Sequence, residues 1–170
     1  MNKILESDLD YLLALVEAGV VTNDLLVTVQ ECGLFFAAYP MCLQTCFIGG
    51  NIAENAGSSE AVKYAVTGRY VQGFQLVTPA GDVVWLGGRL AKDVTGYDLK
   101  SLVIGSEKTL GMATKAIIKL IGYPSAKSDL FVLFKTPKEA IEVVAVIPSK
   151  GLAPTSIELM DQLSITTSCR

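Results

Sequence analysis

At 170 residues the chain suits one domain, or one and a piece, and can bury a real core. Its 14 basic and 17 acidic side chains give a formal charge of -3, which argues against a nucleic-acid binder with a basic face for phosphates. Only 18 % of residues are charged while 51 % are apolar, an excess that implies packing against a partner, a second copy or a further part of the protein. In chain order, residues 5–20 are ambiguous. Leu9, Leu12, Leu13 and Val16 fit a helical stripe, whereas Tyr11, Leu13 and Leu15 fit one face of a strand. Thr22-Asn23-Asp24 reads as an N-cap, residues 25–31 as a short helix, and Gly33 as its stop. Residues 40–60 read as a shaped loop with one helical turn at most. Residues 71–78 and 83–86, joined by Pro79-Ala80-Gly81-Asp82, read as a β-hairpin. An apolar segment at 99–104 precedes a second small-residue cluster at 105–111. Strands are expected at 116–121, 130–134 and 152–159, and a helix at 137–146 that opens on Pro137. Hairpins with irregularly interspersed helices indicate an α+β fold. The chain lacks a G-x-G-x-x-G after a strand, so a Rossmann site has no support.

The longest apolar run, residues 34–43, is interrupted by Pro40 and falls short of the ~18–20 residues of a membrane helix. Met1-Asn2-Lys3-Ile4-Leu5-Glu6 does not resemble a signal peptide. Cys32, Cys42, Cys46 and Cys169 form no CxxC pair and read as reduced thiols of a cytoplasmic protein. Cys42 and Cys46 are expected to be buried structural thiols. There is no histidine, which excludes a Ser-His-Asp triad, histidine general-base chemistry and the commonest zinc ligand. No metal site and no catalytic side chain is assigned. Any hard chemistry must come from a cofactor. Glu54, Asp93, Asp98 and Glu107 are expected to bond loops rather than to catalyse.

The two small-residue loops carry the functional signal. Glycine lets the backbone approach a flat ring system or a pyrophosphate, and its freedom at positive φ lets successive N–H groups converge on an oxygen. Gly49-Gly50 and Ala56-Gly57 could act so in the first loop, and Gly105 with Gly111 in the second, while Asn51 and Asn55 could direct hydrogen bonds. On composition alone, such loops are more often ordinary turns.

Four motifs in order carry a resemblance: Ile48-Gly49-Gly50-Asn51-Ile52-Ala53-Glu54-Asn55-Ala56-Gly57; Val62-Lys63-Tyr64; Lys92-Asp93-Val94-Thr95-Gly96-Tyr97-Asp98-Leu99; and Ile104-Gly105-Ser106-Glu107 with Thr109-Leu110-Gly111. The chain resembles the FAD-linked oxidases of the vanillyl-alcohol oxidase type, above all the flavin subunit of glycolate oxidase and the D-lactate dehydrogenases. The resemblance implies a PCMH-type FAD-binding domain, mainly its second lobe, an antiparallel sheet flanked by helices. Residues 1–150 would be that partial domain and 151–170 the start of a substrate-binding cap. The first lobe, with its glycine-rich pyrophosphate loop, and the cap would be largely missing, so that the chain looks like a central fragment.

Carried across by position, the resemblance lays residues 40–46 and 49–57 along the flavin and ribityl region, and assigns FAD contacts to Pro40, Thr45, Gly49, Gly50, Asn51, Glu54, Asn55, Ala56 and Gly57, and to Glu107, Thr109, Leu110, Gly111 and Met112. Residues 92–99 would support these loops from behind. The implied activity is oxidation of D-2-hydroxy acids (glycolate, D-lactate) to 2-keto acids by hydride transfer to FAD, with substrate bound only alongside a cap and a complementary chain or oligomer. The alternative is a non-catalytic subunit or interaction module that keeps the fold and has lost the chemistry. A small FAD-independent enzyme has no acid, base or nucleophile constellation to support it. Three positions depart from the family: Ser58, Ala65 and Lys108 stand where glycine is usual. If Lys108 needs φ > 0, it costs about 1–2 kcal/mol and sets an ammonium beside the cofactor.

Overall fold

A computed structural model describes residues 1–168. Five strands form one antiparallel sheet in the order β1-β2-β6-β4-β5, with β1 at Ile4–Asp8, β2 at Leu13–Glu17, β4 at Val71–Val77, β5 at Val83–Gly87 and β6 at Met112–Lys119. The ambiguity over residues 5–20 resolves as two strands, and the turn between them places Leu12 at φ 56°. Ala14 and Val16 are fully buried, whereas Tyr11 on the expected face is 75 % exposed. The central strand β6 pairs on one side with β2 (Ala14 opposite Ile118) and on the other with β4 (Phe74 opposite Ala116). Both faces of the hairpin prediction hold: β4 and β5 pair from Gly73–Gly87 to Val77–Val83.

The sheet is rolled. Glu6, Leu15, Ile117, Gly73 and Gly87 lie in one row across the five strands. A flat sheet would set the ends of that row roughly 19 Å apart, from a strand spacing of about 4.8 Å. Yet Arg89, just beyond β5, donates to both carboxylate oxygens of Glu6 on β1 and lies 3.7 Å from Asp8. Curling of the sheet and the reach of the two long side chains together let this pair link its opposite edges.

Helices α1 (Thr22–Gln30) and α2 (Ile48–Glu54) cover the core, burying Leu25 with Val29 and Ile48 with Ile52, each pair one helical turn apart. The apolar run that contains Pro40 is core: residues 34–38 are all buried, and its first two form β3 (Leu34–Phe35), paired with β7 (Ile121–Gly122). Phe35 meets Tyr39, Tyr64 and Tyr123 edge-on at 5.6–5.9 Å between ring centroids. Full burial of side chains such as Phe36, Phe74 and Leu25 is worth about 1.5–3 kcal/mol each.

Three expectations need correction. Thr22 is not a cap but the first residue of α1; Val21 is the N-cap, and the Thr22 side chain faces inward, wholly buried. Residues 48–54 are a helix, not a loop. Residues 130–134 and 152–159 are not strands; 130–134 runs unpaired and exposed, because among the described residues no sheet edge receives it. The expected helix at 137–146 is present and longer, α5 at Pro137–Ser149, with the Thr136 hydroxyl accepting from the Glu139 amide. Among the described residues no helix is long and apolar enough to cross a membrane.

Candidate flavin-binding cleft

The two small-residue loops meet. Helix α2 begins where the chain turns off β2: the Ile48 amide donates to the Val20 carbonyl and the Gly49 amide to that of Ala18, at 3.0 and 2.8 Å. A Cβ on Gly49 would lie 2.8 Å from the Ala18 Cβ, so glycine is required there by packing. Gly50 differs. A Cβ built on it meets nothing within 4 Å, which leaves this flank of α2 open to a ligand.

At its other end α2 stops with Asn55 in the left-handed region (φ 51°). Its carbonyls at Ile52 and Ala53 accept from the Gly105 and Glu107 amides at 3.0 and 2.9 Å. Between α2 and residues 105–111 runs a cleft lined by Gly49, Ile52, Ala53, Ser106, Lys108 and Gly111, among others. The Ser106 Oγ is buried there with no hydrogen-bond partner, an unsatisfied group of the kind that points to a missing ligand or water. The cleft holds about 10 Å³, room for about one water and far below the ~300–1,000 Å³ of pockets that enclose a drug-sized ligand. It encloses nothing the size of a dinucleotide.

The sequence-selected residues divide by what they touch. Asn51 is buried and its Nδ2 donates to the Thr22 Oγ1 at 2.8 Å, tying α2 to α1. The Asn55 Oδ1 accepts from the Gly68 amide at 2.8 Å, and the Ala56 carbonyl accepts from both the amide and the hydroxyl of Thr67. Gly57 packs against Val66. These groups shape the cleft from within the protein. Glu54, Glu107, Thr109, Leu110 and Met112 are exposed around it, with the Thr109 hydroxyl donating to the Ser106 carbonyl at 2.6 Å. Gly111 holds φ 142° where a Cβ would strike the Val77 carbonyl at 2.7 Å, so this glycine too answers a close approach of strands. Pro40 is buried, and Thr45 is exposed on the turn 41–46, which is pinned to the start of α1 by Thr22 N–H to Cys46 O and Asn23 N–H to Leu43 O.

Residues 92–99, expected to support the loops, are all exposed, and Asp98 caps the short helix α4 (Leu99–Val103): its carboxylate accepts from the Ser101 hydroxyl and amide, which hold its pKa below the usual carboxylate range. Lys108 does adopt φ 65°, and Glu107 before it adopts φ 52°. Ala65 sits at φ 63°, ψ -152°, a region that normally belongs to glycine. Ser58 has no positive φ and needs none. Cys42 is exposed and Cys46 only half-buried, which corrects the expectation of two buried thiols; Cys169 lies outside the described residues. Sequence reasoning passed over Ser106 and Thr22. Ser106 stands in the fourth motif, but a serine's burial without a partner has no sequence signature.

Residues 1–87 match the family described as FAD binding domain. The chain belongs to that FAD-binding family. As an FAD-binding domain it is 43 % identical, over 162 residues, to the glycolate oxidase subunit GlcD of Bacillus subtilis, an alignment covering 95 % of this chain and 34 % of that protein. To a D-lactate dehydrogenase of Anaerostipes hadrus it is 36 % identical, with the same coverage. Among solved structures, an alkyldihydroxyacetonephosphate synthase superposes with a TM-score of 0.76 at 26 % identity, covering 92 % of this chain and 28 % of that one. The FAD-binding domain described here thus spans about a third of the length of the curated relatives it matches. Its α+β architecture, an antiparallel sheet flanked by helices, is the PCMH-type fold that the four motifs implied.

Proposed function

We propose that this chain holds FAD for an oxidoreductase that converts D-2-hydroxy acids, such as glycolate or D-lactate, into 2-keto acids. The observation that carries the reading is the cleft between α2 and residues 105–111, with the Ser106 hydroxyl buried and unpartnered in its wall. Bound FAD supplies the hydride acceptor. The chain's own residues bind and orient: the open flank at Gly50 admits the ligand, the Ser106 hydroxyl gives it a directed hydrogen bond, and the Lys108 ammonium at the rim suits an anionic group. Glu107, Thr109, Leu110 and Met112 border the same rim, and Pro40 and Thr45 the approach to α2.

Substrate recognition is assigned to a cap and to a complementary chain or second copy. We keep the FAD-binding unit within residues 1–150 and the start of a second unit at 151–170, although the side chains stop being buried earlier, at Leu120 among the described residues. Placement in the cytoplasm belongs to the same proposal, in keeping with the free thiols at Cys32, Cys42 and Cys46.

One set of observations favours a second reading, an interaction module that keeps the fold without the chemistry. Ala65, Glu107 and Lys108 hold left-handed backbone without being glycine, and the Gly105 and Glu107 amides are engaged by α2 carbonyls. The visible spectrum after FAD addition and desalting separates the two. A retained flavin band supports cofactor binding; a protein that stays colourless supports the module.

A further inference from the structure

The turn that leads into α2 carries two thiols, and no step of the flavin reading uses them. The Cys46 amide donates to the Cys42 carbonyl at 3.0 Å, and the Thr45 amide donates to the same oxygen at 2.8 Å, so residues 42–46 close one helical turn. Across such a turn the Cα atoms of residues four apart are about 6 Å from each other. That falls inside the roughly 4.4–6.8 Å Cα span that a disulfide bridges, but the Cβ atoms of such residues stand about 5–6 Å apart against the ~3.5–4.5 Å of a bridge, so the turn must tighten by about 1–2 Å as the bond forms. The two sulfurs differ in setting. Cys42 is exposed, beside a shallow hollow formed by residues 41–45. Cys46 is half-buried, and its Sγ donates to the Thr22 Oγ1 at 3.2 Å. Burial pushes its thiol above the ordinary value, and the Cys42 thiol beside it adds to the rise.

We propose that Cys42 and Cys46 form a reversible dithiol–disulfide site, oxidised by a peroxide. The exposed Cys42 thiolate attacks one peroxide oxygen, the O–O bond breaks, and Cys42 becomes a sulfenic acid as one water leaves. The Cys46 sulfur then attacks the Cys42 sulfur. The S–O bond breaks, the S–S bond forms, and a second water leaves with the Cys46 proton. Two thiols are oxidised by two electrons and one peroxide is reduced to two waters.

The bridge has a consequence inside the fold. A disulfide sulfur has no proton, so the hydrogen bond from Cys46 to Thr22 is lost on oxidation. Thr22 is the residue that also accepts from Asn51, and so links the turn to the helix beside the cleft. The site thus couples peroxide to the packing of α1 against α2, whether or not flavin is bound.

Peptide mapping of the full chain, after graded hydrogen peroxide and alkylation, tests the site. The expected product is a 42–46 peptide lighter by two hydrogens, unalkylated at both cysteines and restored by dithiothreitol. In Cys46→Ser, Cys42 is expected to stop at a sulfenic acid that dimedone captures; in Cys42→Ser, Cys46 should stay reduced at the same dose. Phenylarsine oxide, which bridges paired thiols, should protect both from alkylation at one equivalent. Oxidation of Cys42 to a sulfinic acid while Cys46 is still alkylated would overturn the proposal. So would a bridge from Cys42 to Cys32 or to a second chain.

Discussion

Residues 1–122 and residues 123–168 are both rich in apolar side chains, and only the first group buries them. Phe36 and Phe74 are wholly buried, whereas Leu130 is 89 % and Leu133 79 % exposed. The last buried side chain is Leu120. The difference is one of partners rather than of hydrophobicity. Each strand of the five-stranded sheet is hydrogen-bonded to at least one neighbour, and α1 and α2 lie where they can cover it. Residues 130–134 have the side chains of a strand and, within the described residues, no strand beside them. Exposed large apolar side chains are packed more densely along this second region than along the first.

The largest effect should come from cutting into the first region. Phe74→Ala or Phe36→Ala should each cost about 3–5 kcal/mol in denaturant unfolding, because both leave cavities in a closed core. The matching change in the second region, Phe131→Ala, should stay within about 0.5 kcal/mol. A cost well above that would show 130–134 to be packed in solution, and the contrast between the two regions would disappear.

Within the first region, Thr22→Val removes the acceptor of the buried Asn51 amide and should cost roughly 1–3 kcal/mol. Backbone strain should show the opposite sign. Ala65→Gly relieves a conformation worth about 1–3 kcal/mol, so a gain of that order, reduced by the greater flexibility of glycine in the unfolded chain, is expected in the same assay. Lys108→Gly should gain less, since the ordinary left-handed region costs an L-residue about 1–2 kcal/mol. A loss on Ala65→Gly would mean that the alanine methyl is packed rather than strained.

The smallest effect concerns the rolled sheet. Hydrogen bonds from Arg89 hold the Glu6 carboxyl below its usual range. A lowered folded pKa contributes stability that is present above the unfolded value and lost as pH falls through the folded one. Both groups are exposed, so the acid-side loss should be slight and should fade with added salt. Removal of the pair in Arg89→Ala should abolish that salt dependence in a thermal melt; an unchanged dependence would mean that the edges meet without help from this pair.

How far the sequence could be read followed from how local each signal was. The β4–β5 hairpin was legible because Pro79 to Asp82 forces a turn between two apolar runs, and α5 because Pro137 and Thr136 mark its start. Helix α2 was not. Gly49, Gly50 and Asn51 are poor helix formers, and the segment is helical because Ile48 and Ile52 are buried and its ends are bonded to residues 18–20 and 105–107. Thr22 was misread for a related reason: at a helix start its hydroxyl suits a cap, and only the tertiary fold turns it toward Asn51 and Cys46. In the cleft, the motifs located both walls, and Lys108 and Ala65 were legible as conformational misfits. The reason for each glycine was not, since Gly49 and Gly111 are fixed by close packing while Gly50 stands open.

Hydrogen exchange with and without FAD tests the central claim most directly. Added FAD should slow exchange at residues 49–57 and 105–112 together, and leave 123–168 unchanged. Retention of flavin with both segments exchanging as before would place the cofactor elsewhere and contradict the assignment of this cleft.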